Sequence, residues 1–373
     1  MVTRVKVVAV GENPTPLWGM TVGERTRRIA AMHGLDVPDG APADGPALLV
    51  NTAFVFDPAW LRHYATRPGE ALTLHGLVVI AHVRDAAERR ETESVMLASA
   101  PLPPHASLTA AAHEDGAAMI NEQLRKREQP FALRLTPETV RQAERASYFG
   151  AYKGVTDLLT KYLWPEWALV LTRLAARIGI SPNMVTSIGA ILCVVATLLF
   201  WHGHYWAGMA AGLVFMVLDT VDGKLARCTI TSSKWGNIFD HGIDLVHPPF
   251  WWWAWGVGLI AYGRPLAPGM FETLMIVIIG GYVVQRVIEG AFMRLYGMHI
   301  HVWKKIDSDF RLITARRNPN MVILFASVVA GRPDTGLVLV AWWTVLSCAF
   351  HLVRLVQAMI AGGGRTQIRS WLG

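Results

Sequence analysis

Two kinds of hydrophobic spacing divide the chain. Up to residue 150 the apolar residues come in short runs, Val5–Val10, Ala47–Val50, Phe54–Phe56 and Leu77–His82, separated by polar stretches. Such runs predict short buried strands. Gly23–His33 and Pro58–Thr66 read as helices that follow them. Asp85–Arg90 reads as a polar helical stretch, Pro101–His105 as a loop, and Pro137–Ala151 as a helix leading into the second half. Strand–helix alternation predicts a soluble α/β domain over residues 1–150, with a parallel, Rossmann-like sheet.

Behind residue 150 the runs lengthen towards the roughly 20 residues that a bilayer core requires. Six spans are expected over residues 151–373: Met184–Trp201, Trp206–Val221, Asn237–Leu259, Phe271–Phe292, Leu312–Gly331 and Leu337–Ile360. In the fifth, Arg316, Arg317 and Pro319 leave only Met321–Ala330 clean. Thr160–Ile178 mixes Lys161, Trp164, Trp167, Arg173 and Arg177 with Leu and Ala, which predicts an amphipathic helix at the headgroup level. Pro182-Asn183 opens the first long run, and Pro248-Pro249 predicts a kink in the third.

Lys224, Arg227, Lys234, Lys304, Lys305, Arg311, Arg365 and Arg369 fall on one side of these spans, against Arg264 and Arg332 on the other. The asymmetry predicts a multi-pass protein of the cell (inner) membrane with both termini cytoplasmic. Val7–Val10 is too short for the apolar stretch of a signal peptide, in keeping with a cytoplasmic front domain.

Composition agrees. The chain is 52% apolar and 17% charged, with a mean hydropathy of +0.31. Soluble domains carry about 25% charge, so an ordinary soluble enzyme is disfavoured. The net charge of +7 lies beside apolar spans rather than in a basic tract with stacking aromatics. That excludes nucleic acid and favours anionic headgroups or phosphorylated substrates. Cys193, Cys228 and Cys348 are too scattered for a disulfide framework or a thiolate metal site.

Against this background four aspartates stand out. Asp219 and Asp222 are three apart and Asp240 and Asp244 four apart, so each pair shares one helical face. An isolated Asp at the bilayer centre costs about 2.5–3.5 kcal/mol, so the four need compensation. Converging, the two pairs form an oxygen-rich cage suited to Mg²⁺ or Mn²⁺. Gly223, Ala226 and Gly236 leave room beside the backbone, and Arg227 offers a planar fork for phosphate oxygens. The bland alternative is that the aspartates cap helix ends or pair with Arg227 and Lys224.

The pattern Asp219-x-x-Asp222-Gly223-x-x-Ala226-Arg227, eight residues, then Gly236-x-x-x-Asp240-x-x-x-Asp244 resembles the signature of the CDP-alcohol phosphotransferases. The resemblance covers roughly residues 155–362. It implies displacement of CMP from a CDP-alcohol donor, CDP-diacylglycerol or a CDP-polyol, by an acceptor hydroxyl, in phospholipid or phospho-polyol biosynthesis. It implies two metal ions on Asp219, Asp222 and Asp240, with Asp244 as general base and further ligand. Gly223, Ala226, Arg227 and Gly236, with Ser232 or Ser233, would hold the cytidine and diphosphate. A homodimer is implied too.

For the acceptor, possibilities include a polyol phosphate bound by Arg286, Arg316, Arg317 and Arg354, all within or beside the later spans. Arg286 has an alternative in an intrahelical pair with Glu289, Arg354 in snorkelling, and Arg316 and Arg317 in setting topology. His202/His204 and His299/His301 read as interfacial, no carboxylate or cysteine accompanying them. Trp251–Trp253 with Trp255 reads as a lipid-facing belt.

Residues 1–150 are similar to sugar-phosphate nucleotidyltransferases in Val5–Val10, Leu17-Trp18-Gly19, Gly23-Glu24-Arg25, Leu48-Leu49-Val50 and Phe56-Asp57-Pro58. They depart at the phosphate loop, replaced by Gly11–Pro16, and at the metal-binding Asp, replaced by Asn51-Thr52. Loss of catalysis is the expectation. The intact motif argues against a catalytically inactive membrane scaffold with a partner-binding front domain, and a transporter using the carboxylates as a proton or cation relay leaves Gly223, Ala226 and Arg227 unexplained.

Overall fold

A computed structural model of the chain describes residues 5–38, 45–362 and 368–373. The front half runs β1 (Val7–Val10), α1 (Val22–Met32), β2 (Ala47–Asn51), β3 (Phe54–Phe56), α2 (Pro58–Ala65), β4 (Glu70–Leu74), β5 (Leu77–Val83) and α3 (Ala86–Leu97). Four short strands follow, β6 (Thr109–Ala112), β7 (Met119–Asn121), β8 (Lys126–Glu128) and β9 (Ala132–Arg134), then α4 (Val140–Gly150). The first three helices start on side-chain caps: Thr21, Asp57 and Asp85 each accept a hydrogen bond from the first turn.

The main sheet has the order β1-β2-β5-β4-β6. Only β1–β2 and β4–β6 pair in parallel; β2–β5 and β4–β5 are antiparallel. The expected parallel, Rossmann-like sheet is therefore corrected to a mixed one. The cause is local. His75 and Gly76, at φ 50° and 79°, make the two-residue turn that joins β4 to β5 as a hairpin. Both faces of the sheet are covered, which is why the strands read as continuous apolar runs. Leu48 and Val50 pack with α1 and α2 through Ile29, Trp60 and Leu61. Ala47 and Leu49 face the other way, onto Val95 and Met96 of α3.

The back half is helical: α5 (Pro165–Arg177), α6 (Pro182–Trp201), α7 (Tyr205–Cys228), α8 (Lys234–Ala261), α9 (Met270–Tyr296), α10 (Lys305–Arg311), α11 (Arg317–Val329) and α12 (Pro333–Gly362). Among the described residues α6, α9 and α12 are long and apolar enough to cross a membrane. The fifth expected span, from Leu312, is shortened at its start: α10 ends before it at Arg311 and α11 begins only at Arg317. At 13 residues α11 is short, about 20 Å at 1.5 Å per residue. The amphipathic helix begins at Pro165 and turns Trp167, Val170 and Leu174 outward. Arg365 lies outside the described residues.

The tryptophan belt is also corrected. Trp251, Trp252 and Trp255 are fully buried and only Trp253 is exposed. Their polar edges find partners inside the bundle: Trp251 Nε1 donates to the Cys193 carbonyl and Trp255 Nε1 to that of Pro333. Glycines make the room. The Trp251 ring lies 3.0 Å from where a Cβ on Gly212 would sit. Pro248 and Pro249 stay within one continuous α8. Pro249 has no N–H for the carbonyl of Leu245, and the Tyr282 hydroxyl of α9 donates to it instead at 2.9 Å.

The two halves are tightly joined. Leu17, Trp18 and Met20 share one core with Ala168, Leu169 and Leu225. Arg173 and Glu144 pair at 2.7 Å, and Arg145 and Glu166 at 2.6 Å. Arg25 and Arg28 of α1 donate at 2.9 Å to the carbonyls of Cys228 and Thr229, where α7 ends.

A Cβ on Gly258 would sit 1.9 Å from the Phe200 carbonyl oxygen, backbone that cannot step aside. Gly258→Ala should therefore cost about 1–3 kcal/mol as overpacking. Thermal unfolding should show a drop of several degrees, and an unchanged midpoint would contradict this α6–α8 contact.

Candidate active site

The end of α7 and the start of α8 present the aspartates to one cavity of about 2240 Å³. Ser233 caps α8, its Oγ accepting from Gly236 N–H at 3.0 Å. One carboxylate oxygen from each of Asp219, Asp240 and Asp244 lies within 4.8 Å of the others, an arrangement that could hold a metal ion. Oxygen-only donors suit hard divalent cations. Arg317, at the start of α11, joins the group. Its Nη2 reaches Asp219 and its Nη1 reaches Asp244, both at 2.7 Å, with the guanidinium over the Phe215 ring.

Asp222 sits apart from this trio. Thr186 of α6 donates to its Oδ2 at 2.6 Å, and Gly223 N–H to its Oδ1. Gly223 is small enough for Arg227 to fold back beside it, with Nη2 3.1 Å from where a Cβ would be. Arg227 Nε and Lys224 Nζ both donate to the Ala151 carbonyl at 3.1 Å. At Gly236 an added Cβ would meet Asn183 Oδ1 at 2.8 Å. Ala226 and Ser232 line the same cavity, and Ser232 is exposed to it.

Of the four arginines considered for the acceptor, Arg286, Arg316 and Arg317 line the cavity. Arg354 does not. It sits on α12 with Nε and Nη2 on Asp307 of α10, at 2.5 and 2.9 Å, and its guanidinium over Trp303. The intrahelical Arg286–Glu289 pair is present at 3.1 Å.

Several cavity residues carry a role that the sequence did not assign to them. Glu289 also takes Arg316 at 2.5 Å and lies 3.4 Å from His301, so a carboxylate does accompany the second His-x-His pair. His351 completes a group with them. Two guanidiniums already neutralise this one carboxylate, so the group is an ion-pair net rather than a cation site. Lys153, in the linker after α4, also lines the cavity. Burial, with Arg125 and Arg227 nearby, pulls its pKa down to about 8. The spacing of Glu289 and Arg286 on α9 was the one visible signal.

Residues 179–308 match the family model for CDP-alcohol phosphatidyltransferase. Cholinephosphotransferase 1 of Gallus gallus is 32% identical over 127 residues, 31% of this chain and 36% of its own length. Phosphatidylinositol phosphate synthase of Streptomyces avermitilis is 34% identical over 93 residues, 24% of this chain and 38% of its own. The chain thus spans little more than a third of these relatives. A crystal structure of Mycobacterium tuberculosis phosphatidylinositol phosphate synthase with manganese and citrate covers 51% of this chain and 88% of its own, at 17% identity and a TM-score of 0.41.

If the trio is a cation site, titration with Mn²⁺ should reveal a site by electron paramagnetic resonance that Asp219→Asn and Asp240→Asn each weaken at least tenfold. Arg354→Met should leave it unchanged. Equal binding by all variants would remove the trio from consideration.

Proposed function

We propose that this chain, whose residues 179–308 belong to the CDP-alcohol phosphatidyltransferase family, moves a substituted phosphate from a CDP-alcohol to an acceptor hydroxyl and releases CMP. The observation that carries the reading is the meeting of Asp219, Asp240 and Asp244 at a cavity that Arg227 also lines. The donor is CDP-diacylglycerol or a CDP-polyol. The product enters phospholipid or phospho-polyol synthesis.

Gly223, Ala226 and Gly236 let the donor approach the backbone of α7 and α8, with Arg227 and Ser232 at its diphosphate. Asp219, Asp222, Asp240 and Asp244 would hold two Mg²⁺ or Mn²⁺ ions. When bound, these supply the positive charge that offsets the diphosphate and the departing CMP oxygen. Asp222 serves from the α6 side, since a carboxylate has lone pairs beyond those given to Thr186 and Gly223. Asp244 takes the acceptor proton. Arg317 holds its Oδ1, and the side chain is 44% exposed at the cavity. The new phosphorus–oxygen bond forms as the bond to CMP breaks, without a covalent enzyme intermediate. Arg286, Arg316 and Arg317 face the acceptor.

In the bilayer, α6, α7, α8, α9, α11 and α12 act as six spans, with both termini on the cytoplasmic side of the cell (inner) membrane. The active form is a homodimer. The front domain is nucleotidyltransferase-like without its catalysis. Two features support this. Asn51 donates to the Val78 carbonyl and accepts from Ala53 N–H, both at 2.9 Å, and Thr52 donates to the Val10 carbonyl at 3.0 Å. Asn13, within the loop that replaces the phosphate loop, is tied to the carbonyls of Thr52 and Leu135.

Removing a general base typically costs about 10²–10⁴-fold, so Asp244→Asn should cut CMP release at least 100-fold while the protein stays folded. Normal turnover in that variant would overturn the assignment. The full chain given CTP and a polyol phosphate should release no pyrophosphate; steady release would show a working front domain.

A further inference from the structure

The cavity has a second, basic pole beside the aspartates. Arg286, Arg311 and Arg316 line it from the helical half and Arg125 from the front domain. Glu289 answers two of them, Arg286 and Arg316. Asp157 faces the same region and answers Arg311 through space, with Thr160 and Asn318 donating to its oxygens. Four guanidiniums against two carboxylates leave positive charge in excess. Arg311 is 9% exposed, and its Nε and Nη1 have no hydrogen-bond partner. The Nε atoms of Arg286 and Arg316 are buried without partners as well. Burying ionised donors unpaired is expensive, and an anion with several acceptor oxygens relieves it.

Arg125 reaches this pole by an unusual route. It lies in the turn between β7 and β8 at φ 51°, left-handed backbone that disfavours a residue with a Cβ by about 1–2 kcal/mol. Its guanidinium makes no hydrogen bond among the described residues. The linker holds the turn in place. Gly154 N–H donates to the Leu124 carbonyl at 2.8 Å, and a Cβ on Gly154 would lie 2.7 Å from the Arg125 carbonyl oxygen. Lys126 Nζ donates to the Gly150 carbonyl at 2.6 Å. Burial and the neighbouring guanidiniums pull the Arg125 pKa down to about 10 and that of Arg311 to about 9. A bound anion would reverse both.

We propose that Arg125 of the soluble domain closes, with Arg311 and Arg316, a pocket for a phosphate monoester carried by the acceptor alcohol. The proposal rests on the transfer reading above and deepens it: the front domain is part of the acceptor site. Four guanidiniums against the carboxylates of Glu289 and Asp157 leave two positive charges, which suit a dianion with three acceptor oxygens better than a single carboxylate group. The phosphate is carried either by a soluble polyol or by a lipid headgroup, and the two are separated by experiment.

The left-handed φ supplies the control. Glycine at 125 relaxes the backbone while deleting the guanidinium, so Arg125→Gly should melt no lower than the parent. Calorimetry on the full chain would use inositol 1-phosphate and glycerol 3-phosphate as soluble probes, and vesicles with or without a phosphorylated inositol lipid. Loss of a charge-assisted contact worth about 1.5 kcal/mol is roughly tenfold, so the Kd of the phosphate probe should rise about tenfold in Arg125→Gly. Arg125→Lys should recover part of it. In CMP-release assays the acceptor KM should rise by the same factor, with donor KM and kcat within about twofold. Binding of a soluble probe identifies a polyol phosphate, and binding of the vesicles alone a lipid headgroup; either supports the pocket. Absence of binding by both, or equal Kd values for the parent and Arg125→Gly, would overturn it. Calorimetry decides the matter even if no acceptor supports CMP release, which would count against the transfer reading alone.

Discussion

Carboxylates gathered into one small volume of an apolar helix bundle repel one another, and the surroundings of Asp219, Asp240 and Asp244 follow from that. Two unit charges 4 Å apart interact by about 4 kcal/mol at an effective dielectric constant of 20. The trio gathers three carboxylates within that range, so they cannot all ionise without compensation. Arg317 meets this repulsion by bridging Asp219 and Asp244, and Phe215 supports its guanidinium from below. Asp222 feels it too and is held on its far side by Thr186 of α6. The break between α10 and α11 belongs to the same constraint. An unbroken span from Leu312 would have no free helix start from which Arg317 could reach two neighbouring helices.

The N-terminal α/β region takes part in this centre through backbone as much as through side chains. The last carbonyls of α7 have no partner within the helix, and Arg25 and Arg28 satisfy those of Cys228 and Thr229 from α1. Cations at a helix C-terminus also oppose its dipole favourably. On the other side of the same helix end, the Ala151 carbonyl receives Lys224 and Arg227, and Lys224 lies over the Tyr152 ring. The helix that carries half of the aspartate motif is thus finished by residues from the front domain and the linker.

What was legible in the sequence follows the range of the interactions. The aspartates, their glycines and Arg227 could be read because helical spacing places them on shared faces without tertiary knowledge. The strands β1, β2, β3 and β5 and the front-half helices were legible for the same reason, local periodicity. Strand β4 was missed, and with it the antiparallel pairing, because a His-Gly turn is an unusual hairpin signal. Trp251, Trp252 and Trp255 were misread because burial depends on which helices flank α8, and the tiny residues that admit them, such as Gly212, lie far away in sequence. Arg354 fell to a similar cause: Asp307, its partner, is 47 residues earlier. Arg311 looked like a topology charge until α10 buried it.

The two poles of the cavity meet in one dipeptide. Arg316 reaches back to Glu289 and Arg317 reaches Asp219 and Asp244. Arg316 is the extended cap residue and Arg317 the first helical one, so these neighbours in sequence leave the backbone differently and serve opposite ends of one cavity. Asn318 fastens this start to Asp157 and Thr160 of the linker region, and Pro319 suits a first helical turn, where its missing N–H costs nothing. A shift of that turn would move both guanidiniums together. The carboxylate pole and the arginine pole are therefore held in fixed relation by backbone, the geometry on which the proposed attack of a hydroxyl on phosphorus would depend.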